Sequence, residues 1–275
     1  MNKILITGAK GQLGTELAKL LPEAVLTDVA DLDITNSQAV RDFVKSNGID
    51  IIINAAAYTA VDKCEDEEET AFKINVDGPR NLAMSGAKII HISTDYVFDG
   101  TSHLPYTEDD DPAPTSAYGR TKLAGEWQIL DNAQIGVIIR TAWLYSPYGN
   151  NFVKTMRKLG AEKDEINVVA DQIGTPTYAA DLAKAIVKII PQMNEQNKGI
   201  YHFTNEGVCS WYDFATEIMT MSGLNCKVNA IPSSSYPTKA RRPNYSVLSK
   251  QKIKQTFGIE IQHWRKGLEQ CLKQF

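Results

Sequence analysis

The chain has 275 residues, 43% of them hydrophobic, with a formal net charge of −4; it is long for one small domain and suits a nucleotide-binding unit with a smaller appendage. A pI of about 5.7 gives no electrostatic footprint for nucleic acid, and no apolar run approaches the ~20 residues that span a bilayer. The N-terminus leads straight into a strand, and Cys64, Cys209, Cys226 and Cys271 are scattered without a CxxC or a histidine at ligand spacing. The expectation is a cytoplasmic protein with reduced thiols.

Lys3-Ile-Leu-Ile-Thr7 is a short apolar run rich in β-formers. Gly8-Ala-Lys-Gly11-Gln-Leu-Gly14 follows, and then a stretch with Leu17, Leu20 and Leu21 at helical spacing. Strand, glycine turn and helix form the setting in which such a motif binds a dinucleotide. Gly8 takes backbone angles barred to other residues, Gly11 lets the chain approach a pyrophosphate, and Gly14 lets helix and strand pack closely. Lys10, Gln12 and Leu13 share the loop, whose helix N-terminus offers free N–H groups and a partial positive charge. Residues 24–28 read as a second strand ending in Asp28, where a carboxylate accepts from adenosine ribose hydroxyls and repels a 2′-phosphate. Asp31 and Asp33 add negative charge, and no Lys or Arg occurs between Lys19 and Arg41. NADH is therefore the expected cofactor, with NADPH accepted more weakly through Lys10.

Residues 37–46 read as a helix, 50–55 as an apolar strand covered on both faces, and 61–85 as a helical region. Strand 88–93, helix 116–130 and strand 135–140 follow. The alternation predicts an α/β fold: a doubly wound, Rossmann-like parallel sheet with ligands at the C-terminal ends of its strands. Beyond Trp143 the rhythm loosens. Helix 178–190 and strand 200–203 return to the main unit, so residues 1–145 and 174–205 are assigned to a dinucleotide-binding domain. Residues 146–173 and 206–275, with Pro232, Pro237 and Pro243, form a smaller C-terminal substrate lobe. The acidic run Cys64-Glu-Asp-Glu-Glu-Glu69 reads as a solvated helical face, and His91 and His202 as packed rather than catalytic.

The chemistry is expected at the ends of the third, fourth and fifth strands. Asn54-Ala-Ala-Ala-Tyr-Thr59 places Ala55, Ala56, Ala57 and Thr59 where a flat cofactor needs room. Ser93-Thr-Asp-Tyr96 ends the fourth strand with hydroxyls, and Tyr118-Gly-Arg-Thr-Lys122 opens the next helix. A Tyr and a Lys four apart share a helix face, so the ammonium can favour the phenolate and bring a phenol of pKa near ~10 toward the working range. Trp143 offers a flat apolar wall at the end of the fifth strand, and Arg241 and Arg242 a pair of guanidinium groups whose geometry suits phosphate oxygens.

Those motifs, with Arg140-Thr-Ala-Trp143, Asp171-Gln-Ile-Gly-Thr-Pro-Thr177 and Arg242-Pro-Asn-Tyr-Ser-Val-Leu248, resemble the extended short-chain dehydrogenase/reductases, most closely the dTDP-4-dehydrorhamnose reductase family. The resemblance runs essentially end to end. It implies NAD(P)H-dependent reduction of the C4 ketone of a dTDP-4-dehydro-6-deoxy sugar. It makes Thr94, Tyr118 and Lys122 the catalytic triad, with Lys122 also holding the nicotinamide ribose, and places Val61, Thr94, Asp95, Tyr96 and Trp143 around the sugar. The expected partner is the dTDP-sugar, with neither nucleic acid nor membrane; a homodimer stays open. Some members of the family bind Mg2+ between subunits, but only Glu16 hints at that here, and no metal is expected. A nucleotide-sugar epimerase or dehydratase would share the glycine motif and the Tyr/Lys pair. A non-catalytic regulatory subunit resembling that of methionine adenosyltransferase is the other alternative.

Overall fold

The computed structural model describes residues 2–275. The first strands are β1 (Ile4–Thr7), β2 (Val25–Thr27), β3 (Ile51–Asn54), β4 (Lys88–Thr94) and β5 (Gly136–Thr141). Short strands follow: β6 (Leu144–Tyr145), β7 (Glu165–Val169), β8 (Ile173–Gly174) and β9 (Thr177–Tyr178). The last are β10 (Gly199–His202), β11 (Cys209–Ser210) and β12 (Lys227–Ile231). Six of them make one parallel sheet in the order β10-β5-β4-β3-β1-β2. The order reverses around β1 and β3, which is where a doubly wound sheet opens its ligand crevice. The doubly wound sheet expected from the sequence is therefore present.

Alternation along each strand divides the core between two faces. Ile6, Ile51, Ile53, Ile90, Val137 and Ile139 pack with Leu13 and Leu17 of helix α1 (Gln12–Leu20) on one side. On the other, Leu5, Ile52, Ile89 and Ile138 meet Val40 and Val44 of α2 (Ser37–Asn47). Each such side chain, fully buried, contributes about 1.5–3 kcal/mol of transfer free energy, so the faces are fixed by which residues alternate inward.

The helical region expected over residues 61–85 is instead broken. It consists of α3 (Val61–Cys64), α4 (Glu68–Phe72), a π-helical turn Lys73–Asp77 and α5 (Gly78–Ala83). Pro79, without an N–H, interrupts the ladder, and the widened turn aims Asn75 inward. The Asn75 amide there bridges Tyr58 N at 2.9 Å, Tyr58 O at 3.1 Å and Thr121 Oγ1 at 3.1 Å. The break thus fastens the third strand's outlet to α6 (Ala117–Asn132).

Beyond the main sheet lie α7 (Phe152–Glu162), α8 (Ala179–Ile189), α9 (Trp211–Ser222), α10 (Gln251–Phe257) and α11 (Trp264–Leu272). Leu182 and Ile186 of α8 and Ile253 and Phe257 of α10 complete the first core face. α7, α9 and α11 share a second core with Met156, Phe214, Ile218 and Leu268. Three two-stranded sheets, β6–β9, β7–β12 and β8–β11, knit this smaller region together. None of its short strands was anticipated, because runs of two to five residues carry too little periodicity to read.

Candidate active site

The glycine loop is built for close approach. Gly8 sits at φ +68°, and a Cβ there would lie 2.7 Å from Ala56 N; on Gly14 it would lie 2.2 Å from Gly8 O. On Gly11 it would meet only Gly8 O, at 3.2 Å, so that glycine borders open space. No side chain caps α1, which leaves its first-turn N–H groups for a ligand. An uncapped helix terminus behind a side-chain-free rim fits a dinucleotide diphosphate. Leu13 turns into the core, so it has only its backbone to offer.

Gln12 has a second job. Its amide donates to Leu144 O at 3.5 Å and accepts from Ser146 Oγ at 3.3 Å and Asn151 Nδ2 at 2.9 Å, tying the loop to the segment after β6. Asp28 directly follows β2, with its carboxylate held by Lys10 N at 3.2 Å and Val29 N at 2.9 Å. The Lys10 side chain is exposed. Asp33 is exposed and bound to Thr35 N at 2.9 Å and Thr35 Oγ1 at 2.8 Å, which makes it a turn residue. Ala55, Ala56 and Ala57 are half-buried at the outlet of β3, and Thr59 is exposed.

Thr94 and Tyr118 come together from β4 and α6. Thr94 ends its strand by capping the following turn, accepting from Tyr96 N at 3.2 Å and donating to Asp95 Oδ1 at 3.0 Å. α6 starts at Ser116, whose hydroxyl accepts from Gly119 N at 3.1 Å. The acidic run, solvated as expected over Asp66–Glu69, also clamps this helix. Glu65 accepts from Ala117 N at 2.8 Å, and Glu68 pairs with Arg120 at 2.9 Å. A Cβ on Gly119 would lie 2.2 Å from Tyr96 O, so strand outlet and helix start are in contact. The Tyr96 and Tyr118 rings meet edge to face, 5.4 Å apart.

The electrostatics correct one expectation. Burial lifts the Tyr118 phenol well above the ordinary tyrosine range; Thr94 works against the rise, and Asp95, Tyr96 and Cys64 add to it. Lys122 has no resolved part in setting it. Its Nζ is turned away, donating to Ile92 O at 2.6 Å and lying 3.4 Å from His91 Nε2. Burial pulls the Lys122 ammonium down from 10.5 to about 8, with Glu126 opposing the fall. Four-residue spacing put the two side chains on one helix face, but the rotamer aimed the ammonium at the strand. Burial also raises the Asp95 carboxyl from 3.8 to about 6, against Ser246, Thr94 and backbone N–H groups that favour its charge.

The residues expected around the sugar are spread over the same outlet. Val61 packs with Tyr58, Tyr96 and Tyr118. Arg242 donates to Asp62 Oδ2 at 3.0 Å and its charge acts on Tyr96, so it borders the site with part of its guanidinium already engaged; Arg241 is exposed. Trp143 is the one non-glycine residue with positive φ among the described residues, at +49°, a conformation costly for a bulky side chain. It is held there by Trp211, stacked at 3.6 Å with planes 11° apart, and by Gly174, where a Cβ would lie 2.7 Å from the indole. Glu16 is buried and pairs with Lys19 at 3.1 Å.

Sequence reasoning missed Trp211, Ser246 and the working contacts of His91. It also missed a buried pair under α6, where Arg140 donates to both Glu126 oxygens at 2.9 and 2.7 Å and Ser93 donates to Glu126. A buried-looking strand carrying both His91 and Arg140's neighbour Ser93 was the available signal.

Comparison with known proteins agrees with this geometry. The family model described as RmlD substrate binding domain matches residues 1–275. The chain is 44% identical to the dTDP-4-dehydrorhamnose reductase of Aggregatibacter actinomycetemcomitans, over 98% of each chain. A crystal structure of a dTDP-4-dehydrorhamnose reductase from Clostridium acetobutylicum is 48% identical, covers 99% of each chain and superposes with a TM-score of 0.95. Another, from Bacillus anthracis in complex with NADP, is 41% identical over 100% of each chain with a TM-score of 0.95. The chain belongs to the RmlD substrate binding domain family, that of the dTDP-4-dehydrorhamnose reductases, within the extended short-chain dehydrogenase/reductases.

Proposed function

We propose that the chain is an NAD(P)H-dependent oxidoreductase that reduces the C4 ketone of dTDP-4-dehydrorhamnose to give dTDP-L-rhamnose, the activity its relatives are named for. The observation that carries the reading is the burial of Tyr118 beside Thr94 at the strand outlets, in a chain that also carries the uncapped glycine loop. The dinucleotide, when bound, supplies the hydride.

Negative charge develops on the ketone oxygen as the C4 carbon is reduced. Tyr118 donates to that oxygen and delivers its proton. Its raised pKa keeps it in the phenol form that a reduction needs, and the alkoxide it meets is more basic still. The Thr94 hydroxyl turns about a single torsion, so its proton can leave Asp95 Oδ1 for an oxyanion placed beside Tyr118. Lys122 holds the nicotinamide ribose. Asp95 and Tyr96 touch the sugar, Trp143 and Val61 wall it, and Arg242 offers its remaining N–H donors to the diphosphate, since a guanidinium carries five.

For the cofactor, Gly8, Gly11, Gly14 and the backbone of Lys10, Gln12 and Leu13 cradle the diphosphate, and Ala55–Ala57 leave room beside it. Asp28 cannot swing clear of the adenosine ribose, because two backbone N–H groups hold its carboxylate. NADH is therefore preferred. NADPH, present in oxidised form in the Bacillus anthracis relative, is accepted through Lys10.

The test is steady-state turnover of purified protein with dTDP-4-dehydrorhamnose and each cofactor. Cofactor oxidised in equal amount to dTDP-L-rhamnose formed supports the reading. Sugar conversion without net oxidation would make the chain an epimerase or dehydratase, and dinucleotide binding without any turnover would make it regulatory. A higher kcat/KM with NADPH would overturn the Asp28 argument alone.

A further inference from the structure

Strand register sets three polar side chains in one row. Thr7 of β1 is opposite Asn54 of β3, and Asn54 is opposite His91 of β4, so all three point to the same face of the sheet. All are buried, and buried polar groups must be matched donor to acceptor. The matching determines where every proton in the row sits.

Thr7 Oγ1 approaches Asn54 Oδ1 at 2.7 Å, and Ala56 N–H donates to the same oxygen at 3.2 Å. A flipped amide would set its NH2 against that backbone N–H, so the orientation is settled. Asn54 Nδ2 then faces His91 Nδ1 at 3.0 Å and donates to it, which leaves Nδ1 without a proton. Burial, the largest cause, holds the imidazole neutral whichever form Lys122 takes. Its single ring proton is therefore on Nε2, and Nε2 lies 3.4 Å from Lys122 Nζ.

An N–H facing an ammonium is a contact between two donors. The same N–H facing an amine is a hydrogen bond, because the amine has a lone pair. We propose that His91 is a positioning residue that favours the uncharged amine of Lys122 in the free protein, so that binding of the dinucleotide draws a proton onto Lys122. The inference rests on the reading that Lys122 meets the ribose, whose hydroxyl oxygens reward the ammonium.

The surroundings leave little to oppose this. β3 contributes only the neutral Asn54 amide. β5 contributes Arg140, whose charge is matched by both oxygens of Glu126. Glu126, one turn along α6, is the one carboxylate that favours the Lys122 ammonium, and it is already shared with Arg140 and Ser93. Tyr118 on the same helix stays a neutral phenol. Burial, partly offset by Glu126, already brings the ammonium to about 8, within reach of a single competing donor.

Two measurements test this. In NADH titration calorimetry at about pH 7.5, in two buffers of different ionisation enthalpy, the wild-type protein should take up more than about half a proton per site, well above the quarter expected of a group titrating at about 8 from burial and Glu126 alone. NADH itself has no group titrating there. His91→Leu should bind NADH with uptake falling back to about a quarter of a proton, the amine fraction that burial and Glu126 leave at that pH once the opposing N–H is gone. Wild-type uptake no larger than that of His91→Leu would overturn the proposal while leaving the reductase reading intact; absence of NADH binding would overturn the reading instead. The second measurement needs no variant: nitrogen NMR of labelled histidine in the wild-type protein should show His91 with Nε2 protonated and Nδ1 bare. The opposite tautomer would remove the argument.

Discussion

Replacing Asp95 by Asn removes a buried charge at almost constant size, and the structure sets what that is worth. Asp95 is 2% exposed, and its carboxyl is raised from 3.8 to about 6, burial being the largest cause. The folded protein thus holds this proton more tightly than the unfolded chain does, and the carboxylate costs stability wherever both states are ionised. The cost is complete well above pH 6, shrinks as pH falls through about 6, and is gone below 3.8. At about 1.4 kcal/mol per pH unit it amounts to about 3 kcal/mol at pH 8 and about half that at pH 5. Asparagine carries no such penalty. Urea unfolding of both proteins at the two pH values should therefore favour the variant by about 1.4 kcal/mol more at pH 8 than at pH 5. Any fixed effect of the amide cancels in that comparison. A stability difference that does not change with pH would refute the assignment of a raised, buried carboxyl.

Tyr118→Phe keeps the ring and removes the proton donor, so turnover should fall by ~10²–10⁴-fold with the NADH dissociation constant little changed; more than about a tenth of wild-type turnover would take Tyr118 out of the mechanism. Asp28→Ala should narrow the preference for NADH over NADPH by relieving repulsion of the 2′-phosphate, as read from kcat/KM for each cofactor, and an unchanged ratio would count against that role. Glu126→Gln leaves the Arg140 guanidinium buried with no opposite charge, a change that costs about 3–5 kcal/mol; chemical denaturation checks it, and a loss below about 1 kcal/mol would mean that the pair matters little.

Where local rules apply, the sequence was readable. β1, the glycine turn and α1 were legible because strand, φ +68° glycine and helix follow one another within a short stretch. The Thr94 and Tyr118 sites were legible because each lies at a strand outlet or helix start marked by its own residues. The pairing of Arg140 with Glu126 and of Lys122 with His91 was not, since each joins elements whose relative depth is fixed only by packing. The positive φ of Trp143 was equally hidden. It depends on Trp211 and Gly174, which arrive from other parts of the chain to pack against the indole. Arg242 shows the same limit from the other side: its guanidinium was recognisable, but its partner Asp62 was not.

The order of the main sheet carries a consequence for how the chain is made. The face bearing Ile6, Ile51, Ile53, Val137 and Ile139 is closed by α8 and α10, and the edge of β5 is paired only by β10. During synthesis at ~5–20 residues per second, about 2–8 s separate the completion of β5 from the appearance of α8. Throughout that interval the nascent chain has five strands of the main sheet, an unpaired edge and an apolar face covered only by α1, the features that recruit chaperones and promote aggregation. A product cut short soon after Thr141 would be left permanently in that state. The glycine loop, though first to be made, becomes part of a stable surface only when residues from the last third of the chain have closed over the sheet beneath it.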